Sequence, residues 1–452
     1  MKKSIEEYVE TMDIKKAAWE ISIPMVISMI SLALYGIVDT IFVSNLGESA
    51  LNAISLSYPI QNIITALGLG IAIGLNVVLS KSIGEKNKEK SNKIIVNGII
   101  LSALAWIIVA VLALFGTESF LKFFTKDTEL INLGVVYLKI TSVLSVGILF
   151  EILFEKVLEA YGKTKESMIL QMSGAIINLV LDPILIYGFL GAPKLGIQGA
   201  AIATVIGQIS GMLIGIFLIL KNKIVNTSIF KQMKADFETM KSILYVGIPT
   251  MLMEALSSFI ILLLNKILIG ISETAVSVWG IYVKVEKFVF IIIHGFDYGM
   301  MPMLGYSIGA KKQDKIKDII HYFYKLALAI SIIGMLLFML LPKVMIGWFG
   351  VSNETLQIGI VAFRILAIGF IFQATSTVLS AVFQSFEKAS YSLIISLLRK
   401  IVIAIPIILI FKDSFGLNVV WWAYSIAEII TAIVAIVLYK KSISKQISVK
   451  PL

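Results

Sequence analysis

The sequence predicts an all-α integral membrane protein with twelve transmembrane helices. We expect two six-helix lobes, related by a pseudo-two-fold axis along the membrane normal, in a V shape with a central cleft. Of the 452 residues, 58% are hydrophobic and 15% are charged, whereas about 25% of residues are charged in a soluble domain. Long apolar stretches recur from end to end, where a transmembrane barrel would show short alternating segments. An ordinary water-soluble protein is therefore excluded.

Twelve apolar segments can be distinguished, and each has the roughly 20 apolar residues that a membrane-spanning helix needs. Their approximate limits are 20–44, 52–80, 94–115, 131–160, 167–190, 195–220, 242–270, 276–306, 318–341, 355–385, 390–411 and 416–438. The longest connection separates two halves. The predicted domains are an amphipathic N-terminal tail (1–19), an N-lobe (20–220), a linker (221–241), a C-lobe (242–438) and a C-terminal tail (439–452).

The basic residues predict the orientation. If the N-terminus is cytoplasmic, the inner connections and tails hold 25 Lys and Arg residues and the outer loops hold 5. Positively charged connections stay on the cytoplasmic side, so we expect both termini in the cytoplasm of a cell-membrane protein. The net charge of +10 then reports topology and a lipid partner, not a nucleic acid.

The two halves of the sequence repeat. KSIGEKNKEK at 81–90 matches YSIGAKKQDK at 306–315, an offset of 225 that also pairs Pro24 with Pro249. Each unit has an even number of segments, so both units enter from the same side and the repeat is parallel. Two such bundles around a cleft are the layout of an alternating-access transporter; the alternative is a purely structural duplication.

Polar side chains inside the first half indicate an ion site. A carboxylate at membrane depth costs several kcal/mol, so it usually faces a cavity and has a function. Asp39 in segment 1, Asn178 and Asp182 in segment 5 and Thr204 in segment 6 have comparable predicted depths, with Tyr35 one turn from Asp39. Alternatively, Asp39 is interfacial and solvated, and Asp182 forms a structural pair with Asn178.

The second half has its own polar anomalies. Glu254 in segment 7 and Glu286, His294 and Asp297 in segment 8 are candidates for a substrate cavity. His294 and Asp297 are three residues apart and could meet across one helix turn. The alternatives are that flanking lysines neutralise Glu286 and that His294 is a hydrogen-bonded packing residue.

Segment 4 carries three glutamates and a lysine on one stripe: Glu151, Glu155, Glu159 and Lys156. Because they approach the cytoplasmic end, a water-exposed helix end is the favoured interpretation. The sequence contains no P-loop, HExxH or GxSxG motif, so we expect no enzyme, no cofactor and energy from an ion gradient.

The 6+6 repeat, VDTIFVSNLGESALNAISLSYPI in segments 1–2 and NLVLDPILIYGFLGAPKLGIQGAAIAT in segments 5–6 resemble the multidrug and toxic compound extrusion (MATE) family, DinF-like branch. The resemblance implies export of organic cations or amphiphiles driven by protons or sodium ions. It also implies coupling at Asp39, Asn178 and Asp182, with a possible Na⁺ there, and a segment 6 hydroxyl at Thr204. The NorM-like branch also uses an acid in segment 10, which this sequence lacks.

The resulting hypothesis is a monomeric antiporter in which ion binding at Asp39 and Asp182 shifts two lobes between inward-open and outward-open states. A flippase for lipid-linked or polysaccharide precursors is one alternative, which would favour a cleft lined by Arg and Lys. More remote alternatives are an intramembrane acyltransferase using His294 with Asp297, and a passive channel.

Overall fold

The computed structural model describes residues 3–225 and 234–447, and every regular element within these ranges is helical. The helices of the first half are α1 Ile5–Glu10, α2 Ile14–Ser44, α3 Glu48–Gly84, α4 Lys88–Phe124, α5 Thr128–Val143, α6 Val146–Ala160, α7 Thr164–Tyr187 and α8 Ile197–Lys221. Those of the second half are α9 Phe237–Ile269, α10 Glu273–Gly309, α11 Gln313–Leu340, α12 Pro342–Gly347, α13 Asn353–Ala367, α14 Phe370–Ser385, α15 Ala389–Leu397, α16 Ala404–Phe415 and α17 Asn418–Tyr439. Short π-helical turns occupy Leu398–Ile403 and Lys440–Ser444. Part of the predicted linker, 226–233, and the last five residues of the predicted tail lie outside the described residues.

Helices occupy all twelve predicted membrane segments. In the described residues, eight single helices and two bent pairs are long and apolar enough to cross a membrane. Predicted segments 7 and 8 correspond to α9 and α10, which are 33 and 37 residues long. The predicted class, an all-α multi-pass membrane protein, is therefore confirmed. Helix α2 begins at Ile14, because the last residues of the predicted tail continue the helix of segment 1.

Predicted segments 4 and 10 are each broken into two helices. The chain bends by 43° between α5 and α6 and by 49° between α13 and α14. The breaks include Leu144 and Gly369, which the sequence offset of 225 pairs with each other. Neither break contains a proline, the usual sequence signal of a kink, so the sequence alone predicts one continuous segment at both places. The bend is a repeated feature of the fold.

Contacts divide the chain into two compact units. In its described part, unit 1 comprises Met1–Tyr8 and Ile27–Ala255, and unit 2 comprises Val9–Val26 and Leu256–Leu452. Helix α2 therefore contributes its first part to unit 2, and α9 contributes its first part to unit 1. The predicted lobes, 20–220 and 242–438, follow the sequence repeat, and they differ from these units at the two stretches. The lobe boundaries remain a prediction.

Unit 1 contains a close helix crossing at two glycines of α3. A Cβ added to Gly70 would lie 2.7 Å from the carbonyl oxygen of Gly247 in α9, and one added to Gly74 would clash with the carbonyl oxygen of Ile243. Only residues without a side chain allow two helix backbones to approach so closely. The first part of α9 is therefore held against α3 by backbone contact.

Unit 2 repeats this crossing in α2 and α10. A Cβ on Gly295 would lie 2.9 Å from the Cα of Val26, and one on Gly299 would collide with the side chain of Ser22. The offset of 225 that relates Gly70 to Gly295 also relates Gly247 to Ser22. The same contact is thus built twice, as expected for a duplicated chain.

The start of α9 is tied to α4 by Asp236. Its Oδ2 accepts hydrogen bonds from the backbone N–H of Thr239 at 2.9 Å and from the Thr239 hydroxyl. Its Oδ1 lies 3.0 Å from Lys93 Nζ, and its backbone N–H donates to Asn97 Oδ1 at 2.8 Å. One carboxylate thus caps α9 and anchors the helix to α4.

These contacts make the stability of the protein depend on pH. The hydrogen bonds from Thr239, followed by the interaction with Lys93, lower the pKa of Asp236 from its usual 3.8 to about 2. A lowered pKa stabilises the fold above the unfolded value, and this stabilisation is lost as the pH falls through the folded value. We expect Asp236→Ala to lower the Tm slightly at pH 7, with a smaller difference as the pH falls from about 4 towards 2.

Thermal unfolding in detergent, followed by tryptophan fluorescence at several pH values, measures this effect. Glu238→Ala, two residues away on the exposed side of the same helix, is the matched control and should leave the Tm unchanged. A Tm difference for Asp236→Ala that stays constant from pH 7 to pH 2 would contradict the assignment.

Candidate functional site

Helices α2 and α7 carry the predicted ion-coupling residues, and both stretches belong to unit 1. Tyr35 and Asp39 lie in the second part of α2, and Asn178 and Asp182 lie in α7. Near the ends of these helices the Tyr187 hydroxyl donates a hydrogen bond to the carbonyl oxygen of Phe42 at 2.6 Å. This bond brings the segment of α2 that carries Asp39 alongside α7.

Asp182 is fully buried, and Asn178 is 2% exposed. The two residues are one turn apart in α7, and Asn178 Nδ2 donates to Asp182 Oδ1 at 3.2 Å. Among the described residues, neither Asp182 Oδ2 nor Asn178 Oδ1 has a hydrogen-bond partner. A buried oxygen without a donor is costly, so the pair leaves two acceptors available for a proton or a small cation.

Asp39 is the acidic neighbour of Asp182. The two carboxyl groups interact directly, and Asp39 is half-buried. When two carboxylates share a site, their electrostatic repulsion makes the doubly ionised state unfavourable. A proton or cation bound at either group therefore relieves their mutual repulsion. The predicted structural pair of Asp182 with Asn178 exists, but the pair is only part of this larger cluster.

The remaining predicted members lie around the two acids. Tyr35 interacts electrostatically with both of them. Thr204, in α8, donates its hydroxyl proton to the carbonyl oxygen of Ala200 at 2.9 Å and contacts Tyr137. The structure thus brings together all five residues that the sequence indicated, and their role in ion coupling stays a prediction.

Sequence reasoning missed Tyr137 in α5. Its side chain is 5% exposed, it interacts with both Asp39 and Asp182, and its hydroxyl accepts a hydrogen bond from Gln61 Nε2 at 3.0 Å. A tyrosine inside an apolar segment is too common to stand out. The signal available in the sequence was Gln61, an amide in the middle of segment 2.

Pro183 adds a local feature of the backbone. It lies within α7, next to Asp182, and proline has no N–H to give to the carbonyl of the residue four positions earlier. That carbonyl belongs to Leu179, between Asn178 and Asp182. Pro183 thus interrupts the backbone hydrogen bonding of α7 beside the two acids. No group of three His, Cys, Asp or Glu side chains placed to hold a metal ion occurs in the described part of the chain.

The predicted substrate-cavity residues fall into both units. Glu254 is exposed and belongs to unit 1, whereas Glu286, His294 and Asp297 belong to α10 of unit 2. His294 Nδ1 lies 4.0 Å from Asp297 Oδ2; the side chain of His294 is half exposed and that of Asp297 is buried. The two residues therefore meet across one turn, without a hydrogen bond.

Glu286 has different partners from those that the sequence suggested. Its Oε1 accepts a hydrogen bond from Gln373 Nε2 at 2.5 Å. The electrostatic attraction of Glu286 to Arg399 and Lys400 is stronger than its attraction to the neighbouring Lys287. Arg399 also lies 3.6 Å from Glu428, which sequence reasoning missed. Glu428 could have been found in the sequence, because it is a carboxylate inside the apolar segment 12. Arg399 and Lys400 lie on the π-helical turn of segment 11, a feature often found at functional sites.

The interpretation of the segment 4 glutamates as a water-exposed helix end is wrong. Glu151, Glu155 and Glu159 are 7%, 8% and 1% exposed, and Lys156 is 2% exposed. Neighbouring helices cover this face of α6: glycines of α7 and α8 lie against Glu151, and Ser167 of α7 donates a hydrogen bond to Glu159. Position along a segment indicates depth in the membrane, but it does not show which helices pack around it.

Comparison with known proteins identifies the fold and the family. The sequence profile of the MatE family matches residues 24–184 and 249–410. The matches start at Pro24 and Pro249, the offset of 225 found in the sequence, so the duplication is confirmed. The multidrug export protein MepA of Staphylococcus aureus (strain bovine RF122 / ET3-1) is 27% identical over 432 residues, 95% of this chain and 94% of that protein. MepA of Staphylococcus saprophyticus is 26% identical over 434 residues, with the same coverage.

Solved structures agree. A MATE crystal structure in complex with MaL6 superposes with a TM-score of 0.91 at 26% identity, covering 99% of this chain and 100% of that one. A MOP superfamily transporter from Pyrococcus furiosus gives a TM-score of 0.90 at 26% identity, covering both chains fully. With the profile matched in both halves and the fold shared over the whole length, this chain belongs to the MatE family of membrane transporters.

Proposed function

We propose that this protein is a proton- or sodium-coupled antiporter that exports organic cations or amphiphiles by alternating access. The observation that carries the coupling role is Asp182, which is fully buried, has an oxygen without a hydrogen-bond donor in the described residues, and lies beside Asp39. The similarity to multidrug export proteins supports the substrate class.

Asp39 and Asp182 couple the inward flow of ions to the export of substrate because they bind one positive charge at a time. An ion bound at Asp39 and Asp182 neutralises the cluster, which favours a drier and more tightly packed state of unit 1. Releasing the ion restores the negative charge and favours a state that is wet or holds a cationic substrate. A ligand shifts such an equilibrium only through its different affinity for the two states. Ion and substrate therefore compete without touching each other.

The energetics are sufficient. One elementary charge that crosses ~100 mV supplies ~2.3 kcal/mol, which sustains a concentration ratio of roughly fifty. Exchange of one proton for one monovalent cation moves no net charge, so such a cycle would use the pH gradient alone. The ratio of ions to substrate thus decides which part of the gradient is used.

The proposal includes the topology inferred from the sequence. We place both termini in the cytoplasm, since the basic residues concentrate on that side, and we expect the monomer to be the transport unit. We also propose Glu254, Glu286, His294 and Asp297 as substrate-cavity residues, because carboxylates and an accessible imidazole suit a positively charged ligand.

The flippase alternative receives less support. A phosphate-bearing lipid precursor needs cations that face it. Arg399, however, lies 3.6 Å from the Glu428 carboxylate, and Lys400 Nζ donates to the Ser257 hydroxyl at 2.5 Å. The acyltransferase alternative needs His294 within hydrogen-bond reach of its acid, and their 4.0 Å separation exceeds it.

Ethidium transport in proteoliposomes tests the proposal. With a pH gradient or a sodium gradient imposed separately, we expect accumulation with at least one of them and loss of accumulation when that gradient is dissipated. Ethidium uptake that persists after both gradients are dissipated would exclude ion coupling. Transport of a fluorescent lipid-linked sugar without ethidium transport would favour the flippase.

A further inference from the structure

A second buried cluster of charges lies in unit 1, outside the group around Asp182. It is centred on Lys156 of α6, whose Nζ lies 3.0 Å from Glu155 Oε1 and 2.8 and 2.9 Å from the two carboxylate oxygens of Glu159. Glu155 also accepts a hydrogen bond from Gln171 Nε2 at 3.2 Å, and Glu159 accepts one from the Ser167 hydroxyl at 3.3 Å. Two carboxylates thus share one ammonium group in a buried site.

Glu151, one turn before Glu155, carries no such compensation. It is 7% exposed, and no hydrogen bond or ion pair to it occurs among the described residues. The glycines facing it make its burial possible: a Cβ on Gly174 of α7 would lie 2.8 Å from Glu151 Oε1, and one on Gly211 of α8 would clash with it. An ionised carboxylate is not stable in such a place without a cation. Glu151 is therefore built to hold a proton.

Glu151 also links the two clusters. Its Oε1 lies against Gly174 of α7, one turn before Asn178, which donates a hydrogen bond to Asp182. Tyr35 of α2 also interacts electrostatically with Glu151, Asp39 and Asp182. Glu151 therefore lies between the Asp39–Asp182 pair and the Glu155–Lys156–Glu159 group. Ser167 and Gln171 of α7 donate hydrogen bonds to Glu159 and Glu155, Gly211 of α8 packs against Glu151, and Asn76 of α3 donates to the Lys156 carbonyl oxygen.

We propose that Glu151, with the Glu155–Lys156–Glu159 group behind it, is a second proton-binding site of unit 1, linked to the Asp39–Asp182 site along α7. The three glutamates and the one lysine carry a formal charge of −2 when all are ionised, and burial makes that state unfavourable. The cluster binds protons to balance this charge. It gives them up when a positive charge enters the Asp39–Asp182 site, because the added charge stabilises the ionised carboxylates.

This inference rests on the proposed coupling at Asp39 and Asp182. Measuring the number of protons released on ethidium binding tests the second site and the coupling site separately. Purified protein in weakly buffered detergent solution is titrated with ethidium, while a pH-indicator dye reports the protons released per bound ethidium. We expect Glu151→Gln to release fewer protons than the wild type, by on the order of half. Glu151→Asp should restore the release. The exposed acid change Glu129→Gln, in α5 of the same unit, is the matched control and should release as many protons as the wild type.

The outcomes discriminate clearly. A purely structural role for the glutamates would lower the Tm of the variants but leave the proton count of the folded, ethidium-binding fraction unchanged, and that result would overturn the inference. If Asp182→Asn lowers the proton count and Glu151→Gln does not, only the second site is wrong. If Asp182→Asn itself releases the wild-type number of protons, the proposed coupling site is wrong.

Discussion

Replacing Asp182 by Asn is expected to reduce ion-driven ethidium transport strongly while leaving the protein folded. Asparagine nearly preserves the volume of the side chain but binds neither a proton nor the charge of a cation. Asp182 is fully buried, and its Oδ1 accepts a hydrogen bond from Asn178, which an amide oxygen can also accept. The fold should therefore tolerate the change, whereas the site loses the charge difference between its two states. Coupling free energies of 1–3 kcal/mol correspond to about 5- to 150-fold, so we expect a decrease of at least about fivefold in uptake.

Asp39→Asn should give a similar loss, because the two carboxyl groups interact and together hold the ion. The measurement is initial ethidium uptake into proteoliposomes under an imposed gradient, with ethidium binding measured in detergent. The exposed variant Glu129→Gln controls for the removal of a negative charge from unit 1. Wild-type uptake by both aspartate variants would rule out the coupling role, and loss of ethidium binding together with uptake would move these residues to the substrate site.

Gly74→Leu is expected to have the largest effect on stability. A side chain at this position would push against the backbone of α9 at Ile243, where no rotamer change relieves the clash. Helices α3 and α9 would have to move apart along the crossing that Gly70 and Gly247 also form. Overpacking of a close-packed interior costs on the order of 3 kcal/mol, so we expect a lower Tm and a lower yield of folded protein in detergent.

The matched control is Gly116→Leu in α4, where an added Cβ meets no atom within 4 Å. It should leave the Tm within experimental error of the wild type. Gly299→Leu, at the equivalent crossing in unit 2, should reproduce the destabilisation by Gly74→Leu. If Gly74→Leu and Gly116→Leu have the same Tm, α9 does not cross α3 at this point.

Part of the candidate site could be predicted because buried carboxylates are rare. Asp39 and Asp182 stand out in any membrane segment, and the spacing of Asn178 places its amide on the same helix face. Tyr137 could not be predicted, because tyrosines are frequent in such segments and only packing of α5 against the acids gives this one a role. The interactions of Arg399 and Lys400 in segment 11 with Glu286 and Glu428 could not be predicted either, because they depend on how distant helices meet.

The glutamates of segment 4 show the limit most clearly. Their spacing on one helix face was predicted correctly, but the prediction that they are exposed to water was wrong. Solvent exposure depends on the small residues of other helices, here Gly174 and Gly211, which allow α7 and α8 to close over Glu151. The breaks within segments 4 and 10 are similar, since neither contains the proline that usually marks a kink.

The sequence by itself determined that this is a multi-pass helical membrane protein, where its segments lie, and that it arose by duplication. Hydropathy is a property of each stretch of chain, and a repeat is found by comparing the chain with itself; neither needs a partner in space. Only the tertiary structure decided that parts of α2 and α9 belong to the unit opposite their sequence half, and that a second group of carboxylates is buried. Both follow from which surfaces pack together, because packing depends on the shape and charge of residues far apart in the chain.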